Sequence, residues 1–131
     1  SVATPFEHRS YGEELALCMR YFYAIDDAMT PDYSYPMIPA HTYSTSQVNI
    51  CFQFPVPMRA RPTITGSTVS GGFRFYRDGS NDPFSQVQPD GHSTLFADVA
   101  SNGEISSSAA QAGRVQVRIA DGAFIHFNSE L

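Results

Sequence analysis

The chain has 131 residues, a mass of 14.4 kDa and a formal net charge of −5, which predicts one domain able to bury its own core. Hydrophobic residues make up 42% and charged residues only 16%, too much apolar material for wholesale disorder. All eight basic residues are Arg, spread along the chain, so no basic cluster marks a nucleic-acid or anionic-lipid partner, and no apolar run approaches the roughly 20 residues of a membrane span.

The first segment carries the one convincing helix. Ser10 and Glu13 stand at capping-box spacing, Glu13 and Glu14 favour a helix N-terminus, and Leu15, Cys18, Met19 and Phe22 recur at three- and four-residue intervals. This predicts a helix over residues 11–19, handing over to a strand over 20–25, where Tyr21, Phe22, Tyr23 and Ile25 concentrate β-formers. Residues 26–45, broken by Pro31, Pro36 and Pro39, read as one long loop holding Tyr33, Tyr35 and Tyr43; a loop of that length tends to be functional or held by a partner.

The remainder reads as β. Val48, Ile50, Phe52 and Phe54 alternate with Asn49, Cys51 and Gln53, the period of a strand with one buried face. Short strands follow over 63–66 and 69–76, with Gly71-Gly72 as a bulge or close approach. Residues 77–83, Arg77-Asp78-Gly79-Ser80-Asn81-Asp82-Pro83, are dense turn chemistry. A strand over 93–99, a small-residue stretch over 101–113 and a strand over 114–119 come next. Asp121-Gly122 then signals a hairpin back into 123–128. The fold class is mainly β: an antiparallel sandwich or jelly roll with one short N-terminal helix.

Catalytic and metal-binding patterns are weak. His8, His41, His92 and His126 are widely spaced and fit surface or interface roles. Cys18 and Cys51 sit in apolar contexts, as small buried hydrophobes or, less readily, one bridge. No nucleophile elbow or phosphate cradle is present. Glu13-Glu14 reads as helix capping and Asp26-Asp27 as a turn. A calcium loop from Asp78 would need a carboxylate at its twelfth position, where Pro89 stands. The reading is a non-enzyme with no cofactor and no metal. Tyr33, Tyr35 and Tyr43, with Arg77, Asp78 and Asn81 in the turn cluster, are the candidate ligand contacts; the tyrosines suit sugar stacking, a subunit interface or simple cover for the core.

Three segments carry a resemblance: Thr4 to Tyr23 (TPFEHRSYGEELALCMRYFY), Phe54 to Thr63 (FPVPMRARPT) and the terminal Ala123 to Leu131 (AFIHFNSEL). Together they resemble a C-terminal domain of phage and algal-virus structural proteins of tail-fibre or spike type, often placed after a carbohydrate-binding module. Met19 departs from the pattern, which most often has Gln there. The resemblance implies the last domain of a longer virion-surface protein. It further implies a homotrimer beside other virion proteins, and attachment to host cell-surface glycan; the alternative it leaves is a trimerisation or capping domain with no ligand of its own. It brings no catalytic residue.

Overall fold

A computed structural model describes residues 9–27 and 35–130. Helix α1 (Tyr11–Met19) begins at the predicted capping box: the Ser10 backbone N–H donates to Glu13 Oε2 at 2.9 Å, and the Glu13 N–H donates to Ser10 Oγ at 3.2 Å. Bonds from the Ser10 backbone, then from its hydroxyl, hold the Glu13 carboxyl below its ordinary range. The helix ends in a turn, with the Tyr21 N–H on the Cys18 carbonyl, and β1 (Phe22–Ile25) starts two residues later than predicted.

Among the described residues ten strands follow the helix: β1, β2 (Met37–Thr42), β3 (Val48–Gln53), β4 (Thr63–Gly66), β5 (Phe73–Arg77), β6 (Ser80–Phe84), β7 (Val87–Pro89), β8 (Phe96–Ser101), β9 (Ala112–Val117) and β10 (Ile125–Asn128). They form a seven-stranded sheet in the order β6-β5-β9-β2-β3-β8-β7 and a three-stranded sheet in the order β1-β10-β4, with every pairing antiparallel. The chain crosses between sheets at β1–β2, β3–β4, β4–β5 and β9–β10, as in a jelly roll. The fold is therefore a mainly β, antiparallel sandwich with one short helix.

Period-2 alternation decides which side chains enter the core. Val48 and Ile50 on β3, Phe73 and Phe75 on β5, Val115 and Val117 on β9, and Ile125 and Phe127 on β10 are all fully buried. An aromatic group of Tyr23, Phe52, Phe54 and Phe127 joins the two sheets, with ring centroids 5.2–6.1 Å apart.

Several expectations are corrected. Residues 37–42 are not loop but β2, the central strand of the large sheet. Pro39 is tolerated because β3 pairs with β2 only from Ala40 onward, so at Pro39 the strand has β9 alone beside it. In the expected turn 77–83 only Asp78 and Gly79 turn, with φ of 43° and 72°, the two positive values a tight hairpin requires. Ser80 to Phe84 is edge strand β6, where Pro83 is harmless. Asp121-Gly122 makes no hairpin: a 3-10 turn, Ile119–Asp121, carries the chain from β9 across to β10 in the other sheet. Strand β7 has no counterpart in the sequence reading.

Both cysteines are free and exposed rather than buried. Cys51 follows inward-facing Ile50 and so faces out on β3, its thiol 3.4 Å from Asp98 Oδ1. Partial burial, then the Asp98 carboxylate, push that thiol up to about 11, which makes it a poor nucleophile at neutral pH. The helix stripe also fails to enter the core, since no residue of α1 is buried.

Candidate functional site

The six proposed contacts do not converge. Tyr33 lies outside the described residues. Tyr35 precedes β2 and lies beneath Arg118, whose guanidinium carbon is 4.7 Å from the ring centroid. Tyr43 follows β2 at its opposite end; six residues of strand, about 20 Å at the usual rise, separate the two rings' positions along the sheet. Arg77, Asp78 and Asn81 lie at the Tyr43 end, on the β5–β6 hairpin, with Asn81 opposite Tyr76.

That end of the seven-stranded sheet is built from three loops, residues 43–47, 78–79 and 102–111. Thr42, the residue before the first loop, holds the 102–111 loop. Its hydroxyl donates to the Ser108 carbonyl at 2.6 Å and accepts from the Gln111 N–H at 2.8 Å, while the Ala110 N–H donates to the Thr42 carbonyl at 3.0 Å. The Ser107 N–H donates to the Thr45 carbonyl at 2.8 Å. Gln111 reaches across with its amide to Asp78, joining the third loop. Arg77 is a brace rather than an open cation: it donates to the Ser106 carbonyl at 2.6 Å and meets Asp82 at 2.8 Å, over the Phe75 ring. Glu104, held below its ordinary range by bonds from the Ser85 and Asn102 side chains, fixes the start of the 102–111 loop.

Replacing Thr42 by Val removes a buried hydroxyl that serves two backbone groups, and strands a carbonyl and an N–H. The expected loss is about 1–3 kcal/mol, accompanied by faster amide exchange confined to residues 106–111. Unchanged exchange there would mean the loop is held by other bonds.

Between the hairpin and β9 lies an open concavity of about 300 Å³ lined by Tyr76, Arg77, Asp78, Gly79, Ser80, Ala112, Gly113 and Arg114. Arg114 is exposed and was not among the sequence-derived candidates; its signal was the outward position in the alternation Arg114-Val115-Gln116-Val117. Tyr43, 75% exposed, stands at the same end of the sheet. The chemistry here is hydrogen bonding and stacking on a braced surface, suited to a polyhydroxylated or charged ligand.

Two other polar groupings lie away from this end. On the outer face of β3, the Asn49 amide donates to Asp90 at 2.7 Å and to Asp98 at 3.0 Å. At the end of β1, Asp26 pairs with His126 of β10 at 2.9 Å, the imidazole lying 4.4 Å from the Phe124 ring centroid. Partners 100 residues apart leave no local signal. Among the described residues no group of three or more His, Cys, Asp or Glu is placed to hold a metal ion, and no helix is long and apolar enough to cross a membrane. No family model matches the chain, and no curated protein and no solved structure matches it either.

Proposed function

We propose that this domain is a non-enzymatic attachment module at the surface of a virion, terminal in a tail fibre or spike, that binds a host cell-surface glycan without a cofactor. The observation that carries the reading is the braced end of the large sheet. There an exposed Tyr43 and Arg114 accompany a polar concavity whose loops are already ordered by hydrogen bonds. Ordered loops lower the entropic cost of binding, and tyrosine offers a broad amphipathic face with few torsions to fix. The three resembling segments supply the virion context.

A panel of host-surface polysaccharides tests the reading. The domain is expected to bind one class, and Tyr43→Ala or Arg114→Ala is expected to weaken binding by at least about tenfold with an unchanged circular dichroism spectrum. A folded domain that binds nothing in the panel would overturn it. A second reading, a capping or trimerisation domain with no ligand, draws support from α1, which no residue anchors in the core. On that reading, deleting the domain from the full protein abolishes assembly but leaves an upstream module able to bind.

A further inference from the structure

We propose that α1 pairs with the α1 of a second copy of this chain, antiparallel about a two-fold axis. The helix is nine residues long and buries none of them. Leu15, Ala16 and Met19 are half-buried against the rest of the chain and the other six residues are exposed, so a helix that is marginal alone at this length is covered on one side only and leaves Leu17 open. Beside it lies an open groove of about 540 Å³ lined by Arg9, Glu13, Ala16, Leu17, Arg20, Val56 and Pro57. Leu17, in that lining, is 38% exposed.

The pattern on the helix identifies the occupant. Glu13, Ala16, Leu17 and Arg20 stand at i, i+3, i+4 and i+7, one stripe on one face. Read in order the stripe is acidic, apolar, apolar, basic, and it becomes its own complement when reversed. An antiparallel copy sets Glu13 against the partner's Arg20 twice over, about 10.5 Å apart along each axis, and places Ala16 against the partner's Leu17 at the crossing point. Small Ala16 lets the backbones approach. A parallel copy would instead set Glu13 against the partner's Glu13 and Arg20 against the partner's Arg20. Both capping bonds from Ser10 go to Glu13 Oε2, so Oε1 is not engaged by the cap. Glu14, off the stripe, is paired with Arg9 at 3.5 Å. An isologous contact of this kind closes as a dimer, and it depends on neither reading of the ligand.

The test is light scattering coupled to size exclusion over a range of protein concentrations, with circular dichroism as the check on folding. The wild-type chain is expected to approach twice 14.4 kDa, and more weakly at high salt. Leu17→Glu, at the centre of the contact, is expected to give a folded monomer. Arg20→Glu is expected to raise the dimer dissociation constant by about tenfold. A monomer at every concentration, a mass of three times 14.4 kDa, or a dimer indifferent to Leu17→Glu or to Arg20→Glu would each overturn the proposal.

Discussion

Phe127→Ala is expected to cost about 3–5 kcal/mol, a large share of the roughly 5–15 kcal/mol that holds a domain of this size together. Phe127 lies on β10, the middle strand of the three-stranded sheet, and is fully buried. Its ring meets those of Phe52 at 5.7 Å, Phe54 at 5.2 Å and Tyr23 at 6.1 Å, the first two nearly edge to face. Phe52 belongs to β3 in the other sheet, so the ring is part of what welds the two layers. Truncation removes the buried area and these ring contacts together, and leaves a cavity between β10 and β3, two strands already paired on both sides. Denaturant unfolding should show a much lower midpoint with an unchanged slope. Phe52→Ala, at a half-buried position of the same group, should cost less. A loss under about 1 kcal/mol for Phe127→Ala would mean that the two sheets collapse onto the vacancy and do not depend on this ring.

Where the sequence was legible, the reason was local chemistry. The capping box of Ser10 and Glu13 set the start of α1, and the alternation around Ile50 set β3 and its inward face. Pro62 ahead of Thr63, with Gly66 as the final residue, bounded β4. What stayed hidden was decided by partners far along the chain. Pro39 and Pro83 argue against strands when read alone, yet both are harmless where one side of the strand has no neighbour. Asp121-Gly122 carries a hairpin signature, but β9 and β10 are each already paired on both sides within different sheets. The candidate site suffers the same way. The Thr42 bonds that build its floor reach partners 66 and 69 residues away, and no periodicity reports such a meeting. Arg77 read as an open cation, whereas Asp82 and the Ser106 carbonyl occupy it. Arg114, whose spacing simply marks it as facing solvent, is the cation left exposed beside the concavity.

The second large effect is expected from a single methyl group. Gly113 on β9 lies between β5 and β2, and a Cβ there would stand 2.3 Å from the Tyr76 carbonyl oxygen and within 2.9 Å of two atoms of the Phe75 ring. The oxygen is backbone and cannot yield without separating β5 from β9. The Phe75 ring is fully buried and has nowhere to turn. Gly113→Ala is therefore expected to reach or exceed the upper end of the about 1–3 kcal/mol usual for overpacking. Because Gly113, Tyr76 and Arg114 share the concavity, any strand separation that relieves the clash also displaces the proposed ligand contacts, so stability and binding should fall together. Gly12→Ala is the matched control. Nothing lies within 4 Å of a Cβ at that position in α1, and the substitution should raise stability by up to about 0.5–1 kcal/mol through helix preference alone. Thermal melting of the two variants would then move in opposite directions from the wild type. A Gly113→Ala protein as stable as the wild type would show that β5 and β9 do not approach this closely, and with that the wall between Tyr76 and Arg114 would lose its basis.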